Sequence, residues 1–97
     1  MINPFEMMKN LQNIQAQAEE MKKRLAQVRC TGYAMGNMVE AVVTGDMRID
    51  SLKIDPSLMK EGQEGLLEVL VTSAVNSAFD NVRSRIEEEA RKMGAGL

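Results

Sequence analysis

The side chains with chemical potential in this chain are mainly its lysines and arginines. Lys22-Lys23-Arg24 with Arg29 form one cluster, and Arg83, Arg85, Arg91 and Lys92 form another. Cations presented together along a face bind phosphates. Most of these have a competing use. Glu19–Lys23, Glu20–Arg24, Glu87–Arg91 and Glu88–Lys92 are all acidic-to-basic i,i+4 pairs in the order that supports a helix. A solvated, self-paired helix face therefore accounts for most of the charge. Lys22, Arg83 and Arg85 escape this pairing in its favourable sense, and Lys9 has no such neighbour, so these four are the freest to meet a phosphate.

Catalytic chemistry has little to work with. The chain has no histidine, which removes the commonest general base, the Ser-His and Cys-His nucleophile pairs and the commonest transition-metal ligand. Cys30 is the single cysteine. It can form neither an internal disulfide nor a structural zinc site, and it fits a reducing cytosol. Arg29 is its one activating neighbour, so it reads as an inert packed thiol. Glu87-Glu88-Glu89 are adjacent on a helix and point apart, which is poor geometry for a divalent metal. Tyr33 beside Gly32 suits cross-strand packing better than stacking on a base. A carboxylate-dependent hydrolase lacks an acid/base pair. We expect no enzyme activity, no cofactor and no small-molecule substrate.

The charge balance is also unpromising for bulk attraction to nucleic acid. Residues 1–54 hold seven Lys/Arg against six Asp/Glu, and residues 55–97 hold five against eight, for a net −2. Any duplex contact must come from shape and a local patch. No apolar run approaches the roughly 20 residues of a membrane span. The start, MINPFEMMKN, lacks the charged-then-apolar order of a secretory signal. The expected location is the cytoplasm.

Four groups of elements position these side chains, within a single domain spanning residues 1–97. A first helix runs from Pro4 to about Val28, with Asn3 as cap, Pro4 in the first turn and Glu6 where a capping box places a carboxylate. Met7, Leu11, Ile14, Ala18, Met21, Leu25 and Val28 recur at intervals of four and three, an a/d seam over about three heptads. From Arg29 the period becomes two. Gly36-Asn37 and Gly45-Asp46 divide residues 29–54 into three antiparallel strands, the middle one Met38 to Thr44 and the third Met47 to Ile54. The odd interval between Ile49 and Leu52 places a bulge near Asp50-Ser51. Asp55 and Pro56 start one helical turn over Ser57 to Lys60. A long helix follows from about Glu64 to Met93, stopped by Gly94-Ala95-Gly96. Its first half, apolar nearly all round, is expected to be buried on the sheet. Its second half keeps one stripe: Val82, Ile86, Ala90 and Met93.

Helices of roughly 37 and 45 Å outrun a sheet about 15 Å across. Their seams need partners, either each other as an antiparallel pair or a second copy of the chain; the alternative is a compact monomer with frayed helix ends. Exposed apolar stripes also suit a protein-interaction module.

The helix bearing Met and Gln, then Thr31-Gly32, Gly36, Thr44-Gly45, and above all Leu52-Lys53-Ile54-Asp55-Pro56-Ser57-Leu58 followed by Ala74-Val75-Asn76-Ser77-Ala78, resemble the YbaB/EbfC family of bacterial nucleoid-associated proteins over nearly the whole chain. The resemblance implies an α+β, α-β-β-β-α protomer and a tweezer-like homodimer with projecting helices. It also implies binding to double-stranded DNA, an altered DNA conformation, and roles in nucleoid organisation and gene regulation. Carried over by region and charge, the DNA contacts fall to Lys9, Lys22, Lys23 and Arg24 on the first helix and Arg83, Arg85, Arg91 and Lys92 on the last. Sequence preference requires base contacts, for which Gln12, Asn13, Gln15 and Arg83 are the candidates. The chain ends at Gly94-Ala95-Gly96-Leu97, where relatives often continue into a longer tail.

Overall fold

Asn3 opens the first helix as its side chain suggests. In the computed structural model, which describes residues 3–94 and side chains as far as Lys92, Asn3 is extended and its Oδ1 accepts from the Phe5 N–H at 3.0 Å. Pro4, in the first turn, fixes a helical φ and has no N–H to satisfy. Helix α1 then spans Pro4–Gln27. Glu6 lies in the first turn without a side-chain bond back to Asn3 among the described residues. Val28 returns to extended backbone and donates to the Leu25 carbonyl.

Three strands follow: β1 Arg29–Ala34, β2 Val39–Thr44 and β3 Ile49–Ile54, antiparallel in the order β1-β2-β3. Val42 pairs with Ser51, but Val43 pairs with Ile49, which leaves Asp50 as the extra residue of the expected bulge. The turns differ from expectation by a residue. The first is built on Met35 and Gly36, at φ 53° and 68°, and the second contains Met47 at φ 65°. Gly36 suits the left-handed region, whereas the two methionines meet steric resistance there.

Asp55 and Pro56 start a single 3₁₀ turn, Pro56–Leu58, shorter than expected. Asp55 Oδ1 accepts from the Ser57 N–H at 2.8 Å. Hydrogen bonds from the Ser57 side chain and backbone hold the Asp55 carboxyl below its ordinary value of 3.8. A group whose folded pKa is lowered contributes stability above its unfolded pKa and loses it as pH falls through the folded one. The thermal-melting advantage of the native protein over Asp55→Ala should therefore be complete above pH 3.8 and shrink below it. A constant difference from pH 6 to about pH 2 would mean that the carboxylate charge does not support the turn.

Helix α2, Glu64–Gly94, crosses the face of β1 and β2. It lies very close to β1 because Gly32 has no side chain and meets Ala74 and Ala78. A Cβ on Gly32 would sit closer than 3.0 Å to the backbone of both alanines. Val39, Ala41, Val43, Ala74, Ala78 and Val82 are fully buried, and Leu58 packs into the same core. Asn81 Nδ2 donates to the Thr31 carbonyl at 2.8 Å, tying α2 to β1. The first half of α2 is not buried all round: Leu66 and Val69 are exposed. Ile49 and Leu52 on β3 are exposed too, since α2 lies over the other two strands. Gly94 ends the described helix, and the rest of the expected Gly-Ala-Gly stop lies outside the described residues.

No residue of α1 is buried, and it does not lie side by side with α2, so the antiparallel helix pair does not form within one chain. The radius of gyration is 19.7 Å and the extents are 70 × 23 × 18 Å. A compact chain of this length would have a radius near 12 Å. The period-3.5 seam of α1 marks a surface that packs on something, and a compact monomer is not its partner.

Candidate nucleic-acid interface

The sheet determines where the charged helices go. Gly32 faces Ala74 and Ala78, and Thr31 bonds to Asn81, so the chain of α2 runs toward the Arg29 end of β1. Ile86 is half-buried on the core, and beyond it α2 is exposed up to Lys92. The C-terminus of α1 joins the sheet at that same end, through Val28. Both cation-bearing segments are therefore helix rather than loop, anchored at one end of a small core. On α1, Lys9, Lys22, Lys23 and Arg24 stand against Glu6, Glu19 and Glu20, a local excess of one positive charge, whereas on α2 Arg83, Arg85, Arg91 and Lys92 are balanced by Asp80, Glu87, Glu88 and Glu89.

All eight cations are exposed. Their pairing departs from the sequence expectation. Arg24 bonds to Glu20 at 3.0 Å as expected, and Lys92 lies 3.9 Å from Glu88, also as expected, and equally far from Glu89. Arg83, expected to be free, pairs with Asp80 at 3.3 Å. Glu19–Lys23 and Glu87–Arg91 do not close. Among the described residues, the cations without an ion pair are therefore Lys9, Lys22, Lys23, Arg85 and Arg91, together with Lys53 and Lys60 off the helices. Arg29 is paired: its Nε meets Asp50 at 3.3 Å and its Nη1 donates to the Ala26 carbonyl at 2.7 Å.

Helical geometry sorts the eight into different faces. At about 100° per residue, Lys9 and Lys23 lie on the side of α1 opposite the Leu11–Ala18–Leu25 seam, whereas Lys22 lies at the seam's flank. On α2, Arg85 and Lys92 continue the line of Ala74 and Ala78 past the sheet, and Arg83 and Arg91 lie on the far side. The eight cations thus lie on two helices anchored at the same end of the sheet, without forming a single stripe. Gln12, Asn13 and Gln15 are exposed on the same helix as Lys9. Cys30 is half-buried against the core, and Tyr33 is exposed opposite Glu40 on the neighbouring strand.

The sequence pattern of the YbaB/EbfC DNA-binding family matches residues 1–97. The chain belongs to that family. Its YbaB/EbfC relatives include a nucleoid-associated protein from Bartonella tribocorum, 33% identical over 91 residues that make up 94% of this chain and 85% of the relative. Another, from Afipia carboxidovorans, is 35% identical over 94% of this chain and 87% of its own length. The fold is also that of the uncharacterized protein HP0035 from Helicobacter pylori, with a TM-score of 0.79 at 18% identity, covering 96% of this chain and 98% of the other. The segment Leu52 to Leu58, on which the resemblance read from the sequence chiefly rests, has a structural role in this fold. It ends β3, caps the 3₁₀ turn with Asp55 and seals the core with Leu58.

Two features of the interface do not follow from the i,i+4 charge pattern. Asp80–Arg83 is an i,i+3 pair, a spacing that also brings side chains together on a helix and is readable in the sequence. The double engagement of Arg29 depends on the bulge at Asp50 and on where α1 ends, and no local spacing signals it.

Proposed function

We propose that this chain is a nucleoid-associated protein, without catalytic activity, that binds double-stranded DNA as a homodimer in the nucleoid of the cytoplasm. In this proposal it alters DNA conformation, with consequences for nucleoid organisation and gene expression. Membership of a DNA-binding family carries the DNA part. The exposed helical cations supply the chemistry: Lys9, Lys22, Lys23 and Arg24 on one helix, and Arg83, Arg85, Arg91 and Lys92 on the other, meet phosphates as rigid arms. The homodimer rests on the apolar stripe of α1, where Met7, Leu11 and Ile14 are more than half exposed. An unpaired seam this long needs a helix against it.

The test is fluorescence anisotropy of a labelled duplex of about 30 base pairs, titrated at several salt concentrations. Binding that weakens steeply with salt supports phosphate contact. No binding at low salt overturns the DNA proposal and favours the alternative, a protein-interaction module using the apolar seams; duplex binding that is insensitive to salt removes the phosphate contacts as its basis. The dimer is tested separately by light scattering. Leu11→Asp and Ile14→Asp should lower the mass from two chains to one, because each places a charge in the seam. A native mass of one chain, or a dimer untouched by both variants, removes the seam as its basis.

A further inference from the structure

We propose that Arg29, Gly45 and Asp50 are positioning residues that fix the direction of the α1 arm, and that this direction, not only charge, governs how the arm meets DNA. The second half of this inference rests on the DNA-binding function proposed above.

Within one chain, with no buried residue of its own, α1 takes its direction relative to the sheet from its last turn. Two contacts hold that turn. The first is a socket at the β2–β3 turn. The Gly45 N–H donates to the Val28 carbonyl at 3.1 Å, and a Cβ on Gly45 would lie 2.5 Å from the Leu25 carbonyl oxygen. Gly45 is buried although it lies in a turn, so the absence of a side chain there serves close approach rather than a left-handed backbone. The socket is itself stiff. Thr44 Oγ1 bonds to the Asp46 carboxylate and accepts from the Arg48 N–H, and the Thr44 N–H donates to the Arg48 carbonyl at 2.8 Å.

The second contact is a strut. The Arg29 guanidinium donates to the Ala26 carbonyl at 2.7 Å, at the negative end of the helix, and meets Asp50 of β3 through Nε at 3.3 Å. It thus links the end of α1 to the far strand of the sheet, across β2. Asp50 is the extra residue of the bulge, and bulges re-aim side chains in this way. The planar guanidinium holds its Nε and Nη donors in fixed, different directions, so it can serve both partners at once in a geometry that the compact ammonium of a lysine does not fix.

The experiment exploits opposite signs. Asp50→Asn removes a negative charge, so on charge alone it should tighten duplex binding. If it loosens the arm, binding should instead weaken about threefold, the size of effect a partly exposed ion pair can exert. Arm direction is read independently of DNA by electron-spin distance measurements between labels at Asn13→Cys and Met59→Cys in a Cys30→Ala background, diluted with unlabelled protein. The expected result is a broader or shifted distance distribution in Asp50→Asn and in Gly45→Ala, with unchanged helical circular dichroism. Should Gly45→Ala fail to fold, Asp50→Asn, at an exposed position, still decides. A distance distribution identical to the native one in Asp50→Asn overturns the strut. Tighter duplex binding by Asp50→Asn overturns the link from arm direction to DNA. If the native protein binds no duplex while Asp50→Asn still broadens the distribution, the positioning role stands and the DNA function fails.

Discussion

Gly32→Ala should cost the protein about 3 kcal/mol of stability, the upper end of what overpacking usually costs. The added methyl would enter the backbone of α2 at Ala74 and Ala78, not the end of a flexible side chain. A helix backbone cannot yield locally, so α2 must lift from β1. Lifting it exposes Val39, Ala41, Val43 and Val82, which are fully buried. For a domain of this size, the melting temperature should fall by roughly 12 °C or more. Two other glycines calibrate the effect. Nothing lies within 4 Å of a Cβ at Gly36, but its φ is +68°, so Gly36→Ala should cost only the left-handed penalty of about 1–2 kcal/mol. Gly65 lies in the first turn of α2 with open space around it, and Gly65→Ala should stabilise slightly through helix propensity. Thermal melts of the three variants should rank Gly65→Ala above native, then Gly36→Ala, then Gly32→Ala. A Gly32→Ala protein that melts with Gly36→Ala would mean that α2 does not approach β1 this closely.

The second large effect concerns which cations meet phosphate. Replacing Lys22, Lys23 and Arg85 with alanine together should weaken duplex binding at moderate salt by at least 100-fold. Removing one phosphate-bound cation makes the slope of log affinity against log salt shallower by about 0.9, and a homodimer presents every cation twice. The matched triple of Arg24, Arg83 and Lys92 has the same formal charge, so net charge falls equally in both. These three, however, are already engaged with Glu20, Asp80 and Glu88 or Glu89. The first triple should therefore reduce the salt slope more, because its members give up no partner to reach DNA. Anisotropy titrations of both triples between 50 and 200 mM salt decide between local contact and bulk charge. Equal slopes for the two would make net charge the governing quantity and remove the residue assignments.

Much of the fold was legible because it rests on local chemistry. Asn3-Pro4 and Asp55-Pro56 announce helix starts whose caps form as expected. The shift from a 3.5-residue to a 2-residue period at Arg29 marks the passage from helix to strand, and the interval from Ile49 to Leu52 reveals the bulge at Asp50. What escaped is tertiary. Gly32 and Gly45 resemble turn or strand glycines in sequence, yet each is small because a helix backbone lies against it. Met35 and Met47 adopt left-handed φ values that favour glycine or asparagine, which no propensity would assign to methionine. The seam of α1 tells that the helix packs but not on what. The two clusters of cations were visible from spacing. Their distribution over several faces, and the capture of Arg83 by Asp80, required the helices themselves.

The isolation of α1 also has a consequence for how the molecule opens and closes. Since α1 joins the rest at its last turn and has no fully buried residue, it forms an opening unit distinct from the cooperative block of sheet and α2. Most of a helix's stability in a protein comes from tertiary packing, and the 24-residue α1 has little of it within one chain. Within a single chain, its amides would exchange with solvent through local fraying, far faster than those of β2 or the middle of α2. Their protection is then supplied from outside, by whatever lies along the seam. Hydrogen exchange in α1 becomes a direct gauge of association, its protection rising with protein concentration while the core amides hold still.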